Sequence, residues 1–118
     1  MAKPVVKSLV VKSLEAPEEV RGRTRFVRLG SAKIARAVFE RGWRWSVHSK
    51  PVFGGESCRT AHLGYVISGR LGIRMDDGTE AEIAAGDAFE IPPGHDAWTI
   101  GDEPCTFVEF FPMAKEQS

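Results

Sequence analysis

Apolar and polar residues alternate with a period of two through much of the chain, which predicts strands rather than helices. The clearest pair is Arg70-Leu71-Gly72-Ile73-Arg74-Met75 and, after Asp76-Asp77-Gly78, Thr79-Glu80-Ala81-Glu82-Ile83. A two-residue Asp77-Gly78 loop would set Met75 opposite Glu80 and mix apolar with charged side chains on one face. A three-residue loop instead opposes Met75 to Thr79, Arg74 to Glu80 and Ile73 to Ala81. That register keeps Leu71, Ile73, Met75, Ala81 and Ile83 inward and matches charges outside, so it is the expected one. Gly78 then takes the left-handed position of a bulge.

Trp43-Arg44-Trp45-Ser46-Val47-His48 alternates cleanly and predicts a strand with Trp43, Trp45 and Val47 on one face, ended by Lys50-Pro51. Lys33 to Phe39 alternates less regularly. A helix over Ile34 to Arg41 competes there, but Gly42 and the β-rich surroundings favour a strand. Gly86-Asp87 is a turn, Ala88 to Ile91 a short strand, Pro92-Pro93-Gly94 a corner, and Ala97 to Ile100 the next strand. Cys105 to Phe111 is almost wholly apolar, which predicts a strand buried on both faces and stopped by Pro112. The first 32 residues read least clearly: an edge strand over Val5 to Val11, a loop or helical turn near Pro17, and a strand over Arg25 to Leu29. The expected organisation is an arm or edge strand over 1–32, a barrel over 33–112 and a frayed tail over 113–118. Many short strands separated by turns make an all-β sandwich or barrel.

Two motifs narrow this. A Gly, five residues and then Pro-x-Gly, as in Gly86 to Pro92-Pro93-Gly94, resembles the second signature of the cupin family. Upstream, Ser57 to Gly69, with six residues between His62 and Gly69, resembles the first. The resemblance covers roughly Phe39 to Phe111 and implies a single cupin-like jelly-roll β-barrel, a double-stranded β-helix, with an N-terminal strand arm. The family's usual ligands are a His-x-His pair and a Glu in the first motif, and a His three residues after the Gly of the second. Here His62 stands at the Glu position, Glu56 and Cys58 where the two His would be, and Ala97 at the last His, with His95 two residues earlier.

A different ligand set follows from the residues themselves. Cys58 and His62 are four apart and share a face of a strand, and His95 shares a face with Ala97. Cys58, His62 and His95 would suit one divalent metal ion, zinc being the most compatible, with Glu56 or water as fourth ligand. The other use of the same residues is a buried thiol and two hydrogen-bonded histidines around a polar cavity. Trp45 and Trp98 either line an aromatic pocket or pack core and rim. Asp96 either orients His95 or serves a turn, the turn being preferred, and His48 is expected on the surface. The candidate ligand-binding residues are therefore Trp45, Glu56, His62, His95 and Trp98. His62 and His95 are expected within about 10 Å of one another, facing a cavity of a few hundred Å³.

The 118 residues suffice for one domain with one core, and two cysteines are too few for a disulfide scaffold. With no apolar run of membrane-spanning length and no apolar leader near the start, a cytoplasmic protein without membrane partners is expected. The formal net charge is zero but unevenly placed: residues 1–50 carry 12 Lys and Arg against 4 Glu, and residues 51–118 carry 4 against 12 acids. Arg21, Arg23, Arg25 and Arg28 could form a basic surface for an anionic partner, but basic strands pairing with acidic ones is the preferred reading, so no nucleic-acid partner is expected. Phosphate loop, dinucleotide fingerprint, nucleophile elbow and zinc-ribbon cysteine pairs are all missing. Three functions remain: a barrel holding a small molecule in its mouth without turnover; a metal-dependent enzyme (zinc, iron, manganese or nickel) such as a dioxygenase or isomerase of the cupin type; and a structural or partner-binding homodimer.

Overall fold

Period-two burial builds the sheets in a computed structural model of the chain, which describes residues 18–19 and 22–112. The strands are β1 (Glu18–Glu19), β2 (Gly22–Arg28), β3 (Ala32–Phe39), β4 (His62–Ser68), β5 (Arg70–Met75), β6 (Glu80–Ala84), β7 (Ala88–Ile91), β8 (His95–Thr99) and β9 (Cys105–Pro112). They form a six-stranded sheet in the order β1-β2-β3-β9-β4-β7 and a three-stranded sheet in the order β6-β5-β8. Every pairing among them is antiparallel. Along β3, buried Ala35, Ala37 and Phe39 alternate with exposed Arg36 and half-buried Val38. Phe39, Val66, Phe89, Ile91 and Phe107 from the large sheet meet Leu71, Ile73 and Ala97 from the small one in a single apolar core. The result is an all-β jelly-roll barrel. No described helix is long and apolar enough to cross a membrane.

The hairpin register is the expected one, with Arg74 opposite Glu80 and Ile73 opposite Ala81. The Met75 N–H donates to the Thr79 carbonyl at 2.8 Å, and the Gly78 N–H returns to the Met75 carbonyl at 2.9 Å. Outside, Arg70 meets Glu82 at 3.1 Å and Arg74 meets Glu80 at 3.5 Å. One detail differs: Ala81 is exposed, and Met75 and Ile83 are only partly buried.

Three other expectations are corrected. Residues Trp43 to His48 do not form a strand: Trp45–Ser49 is a π-helical turn leading into a short helix, α1 (Lys50–Phe53). Trp43 and Trp45 are buried, but Val47 points to solvent. Side-chain acceptors outcompete a ladder here. Asp96 takes the Ser46 N–H at 3.0 Å and the Ser46 hydroxyl at 2.8 Å, while His48 Nδ1 accepts the Arg44 N–H at 3.1 Å. His48 is thus half-buried rather than on the surface, and Asp96 ties down this turn instead of orienting His95. Second, Cys105, Phe107 and Glu109 of β9 are buried, but on its other face only Thr106 is, Val108 being half-buried and Phe110 42% exposed, so the strand is covered on both faces only at its start. Third, Glu18–Glu19 pairs with Gly22 and Arg23 as a strand rather than a helical turn. The expected edge strand over Val5 to Val11 and the tail over 113–118 lie outside the described residues.

Two glycines test this architecture. Gly78 has φ +94 with open space around it, so Gly78→Val should cost about 1 kcal/mol or more through backbone strain alone. Gly64 faces inward, and a Cβ there would fall on the Val108 carbonyl oxygen and on the Phe89 ring. Gly64→Ala should therefore cost more, roughly 1–3 kcal/mol. Chemical denaturation of both variants checks this, and a neutral Gly78→Val would remove the bulge.

Candidate metal centre

Three separate segments bring one donor each to the mouth of the barrel. His62 opens β4, and its inward position follows from the alternation that buries Gly64 and Val66. His95 opens β8 directly after the Pro92-Pro93-Gly94 corner, in phase with buried Ala97 and Thr99. Cys58 sits in the loop before β4 but is locked to that corner by backbone bonds. Its N–H donates to the His95 carbonyl at 2.8 Å, and its carbonyl accepts from Gly94 N–H at 2.7 Å.

The side chains converge. The Cys58 sulfur lies 3.6 Å from His62 Nε2, and the two imidazole rings are 5.1 Å apart, edge to face. One donor atom from each of Cys58, His62 and His95 falls within 4.8 Å of the others. The expected approach of His62 and His95 is met.

Each histidine is oriented from behind. His62 Nδ1–H donates to Glu109 Oε1 at 2.7 Å, and Glu109 is buried on β9. His95 Nδ1–H donates to the Pro92 carbonyl at 2.9 Å. Holding the proton on Nδ1 leaves the Nε2 lone pair of His95 for the cluster. A metal-ligating histidine needs this outer bond to carboxylate or carbonyl. Glu109 escaped the sequence reading. The signal was a lone acid in an apolar strand at the same parity as Cys105 and Phe107.

Without a metal, the cluster is an ion pair. Burial raises the Cys58 thiol, but hydrogen bonds from His62 and His95 outweigh it and bring the value down from 9.0 to about 6. Burial likewise disfavours charge on His62, but the Cys58 sulfur and the Glu109 carboxylate raise it from 6.5 to about 9. The signs are opposite. The Cys58 contribution to stability is present above its ordinary value and lost as pH falls through about 6. The His62 contribution is present below its ordinary value and lost as pH rises through about 9. Cys105, the other thiol, is raised by burial and by Glu103 to about 11 and stays a thiol.

The donors face a cavity of ≈ 600 Å³ with a mostly apolar wall that includes Trp43, Trp45, Phe89, Ile91 and Phe107. Of the expected binding residues, Trp45, His62 and His95 line it. Glu56 and Trp98 do not. Glu56 is exposed, 3.9 Å from Lys50. Trp98 packs over Gly72 with the Arg44 guanidinium 4.5 Å from its ring centroid.

Antiparallel sheets closed into a jelly-roll barrel are the arrangement of a cupin. The chain carries a cupin domain: residues 57–111 match the family model described as the Cupin domain. No curated protein matches the chain. Among solved structures it is similar to the oxalate decarboxylase of Lactobacillus farciminis in a formate complex, at TM-score 0.63 and 20% identity. That match covers 84% of this chain but only 31% of the decarboxylase. It is also similar to a cupin-superfamily sugar phosphate isomerase from Silicibacter pomeroyi, at TM-score 0.62 and 18% identity over 86% of this chain and 73% of that one. An RmlC-like cupin from Shewanella frigidimarina matches at TM-score 0.58 and 19% identity, over 88% and 86% of the two chains. At these identities the likeness shows the fold.

In metal-free protein, ultraviolet thiolate absorbance should titrate with a midpoint near pH 6. In His62→Ala the midpoint should rise, because burial then acts with one partner fewer. An unchanged midpoint in that variant would break the pair.

Proposed function

We propose that this barrel binds one divalent transition-metal ion through Cys58, His62 and His95 and presents it to a small molecule held in the apolar cavity, as a metal-dependent cupin enzyme. One observation carries this reading: both histidines spend Nδ1 on an acceptor behind them, at 2.7 and 2.9 Å, and their remaining ring nitrogens join a thiolate. The donor set fits. A tetrahedral zinc with bonds of about 2.3 Å to sulfur and 2.0–2.1 Å to nitrogen holds its S and N ligands about 3.6 Å apart. The Cys58–His62 separation is 3.6 Å. One thiolate with two imidazoles favours zinc over the harder ions.

Bound there, the ion would act as a Lewis acid or lower the pKa of a water at the position the protein leaves open. The chain's own residues do the rest. Glu109 holds His62 and compensates charge, Pro92 fixes the His95 tautomer, and the apolar wall excludes water around the reacting molecule. The cupin relatives that decarboxylate oxalate or isomerise sugar phosphates support an enzyme reading in general. The wall of this cavity favours a less polar molecule than either.

Elemental analysis of protein purified without chelator should find about one zinc per chain. Cys58→Ala, His62→Ala and His95→Ala should each lose it while keeping the β-rich circular dichroism spectrum, since Phe39, Val66, Leu71, Ile73, Phe89 and Phe107, which make up the bulk of the core, are untouched. Glu109→Gln should weaken affinity roughly 10- to 100-fold. Affinity should fall as pH drops below about 9, where His62 holds a proton the ion must displace, and more steeply below about 6, where the Cys58 thiolate takes one as well. Wild-type protein that holds no stoichiometric metal and gains none on titration would end this reading.

A homodimer through the outer face of the large sheet is a second reading. Leu63, Tyr65 and Ile67 on β4 and Phe110 on the adjacent β9 are 42–49% exposed and adjoining. Arg25 opposes Arg36 toward one edge of this face, and Glu90 lies on the other edge. A two-fold, face-to-face contact sets the basic edge of one copy over the acidic edge of the next. Sedimentation should give a dimer for wild type and a folded monomer for Tyr65→Asp combined with Phe110→Asp. A wild-type monomer at high micromolar concentration and low salt would refute it.

A further inference from the structure

Among the described residues, the cavity wall carries two cations outside the donor cluster, and they differ. Arg59 is engaged by Asp76, with 3.5 Å between Nη1 and Oδ2. Lys33 has no carboxylate partner among the described residues. Its ammonium is instead held between two rings, 5.3 Å from the centroid of Phe26 and 4.9 Å from that of Phe111. Cation–π contacts position an ammonium without using its N–H donors or neutralising it. The one acid on the wall among the described residues, Glu109, is committed to His62.

Lys33 also stands in the right place. It shares the inward face of β3 with Ala35, Ala37 and Phe39, all of which line the cavity. Lys33 is level with Phe111 on β9, and continuing the Gly64–Glu109 register brings His62 level with the same residue. The strands run β3-β9-β4, so Lys33 and His62 stand about two strand spacings, ~10 Å, apart across the mouth. Below Lys33, the small Ala35 and Ala37 leave room for a flat body against Phe107. With Arg59 engaged by Asp76, one ammonium on a mostly apolar wall has no carboxylate partner, which suits one monoanionic group, whereas a phosphate calls for several converging donors.

We propose that Lys33 receives the anionic end of the cavity's ligand, so that the occupant is a small apolar or aromatic carboxylate lying between Lys33 and the Cys58/His62/His95 cluster. This rests on the cavity being the ligand chamber of the proposed function, and it names the ligand's class.

The test is calorimetric titration of naphthalene carboxylate and of its uncharged carboxamide into wild type, Lys33→Gln and Lys33→Arg, each zinc-loaded and chelator-stripped. Wild type should prefer the acid by roughly tenfold or more, the size of a charge-assisted hydrogen bond. Lys33→Gln should reduce the acid to the affinity of the amide, leave the amide unchanged and keep the wild-type zinc content. Lys33→Arg should restore the preference. The inference is overturned if wild type shows no saturable binding of the acid, if it binds acid and amide equally, or if the preference persists in Lys33→Gln. A preference that vanishes with the metal and ignores Lys33 assigns the carboxylate to the metal and overturns it too. Protein that never holds zinc yet shows the Lys33-dependent preference sustains it while sinking the metal reading.

Discussion

A carboxylate buried at the level of Glu109 is tolerated only with a partner, and the 2.7 Å bond to His62 supplies one. That bond has consequences in both directions. Behind it, β9 must lie between β3 and β4, because only there does its inward face reach the His62 ring. Ahead of it, the ring is turned so that Nε2 meets the Cys58 sulfur at 3.6 Å. Remove the carboxylate and the imidazole loses its orientation, its partner for charge and its reason to be inside. The cluster depends on a residue outside the donor set.

The second constraint is the corner at Pro92-Pro93-Gly94. Two prolines fix φ, and Gly94, with φ +92, lets the chain reverse tightly enough for its N–H to reach the Cys58 carbonyl. The same glycine's carbonyl accepts the Asp76 N–H at 2.9 Å, and Asp76 accepts from Ser57 Oγ at 3.1 Å. A loop cysteine thus acquires the rigidity of a strand residue. Preorganisation of this kind is what lets a three-donor site keep its shape before a ligand arrives.

Much of the fold was legible because period-two alternation and turn chemistry are local signals. The Arg70–Ile83 hairpin could be registered from charge matching alone, and the Gly86 to Gly94 stretch marked its own corners. Cys58, His62 and His95 were legible as a group through parity and motif position. What was not legible depended on distant partners. Trp43 to His48 has the alternation of a strand, yet its backbone is claimed by Asp96, some fifty residues away in sequence. Glu109 looked like an interruption in an apolar strand, because nothing local says that a histidine waits across the sheet. Lys33 likewise gains meaning only when β2 and β9 bring Phe26 and Phe111 to either side of it.

The departure from the usual cupin ligands has a geometric sense. Ala97 occupies the position of the family's last histidine, and it is buried, facing the cavity from β8. Two residues nearer the corner, His95 keeps the same face, so the donor moves ~7 Å along the strand toward the mouth. Cys58 is drawn to the same level by its backbone bonds to His95, and His62, at the family's Glu position, meets both there. The space a histidine at position 97 would have filled joins the apolar chamber beneath. A single shift along one strand therefore does two things at once. It raises the donor cluster to the rim, level with Lys33, and it deepens the cavity in which an apolar body can lie.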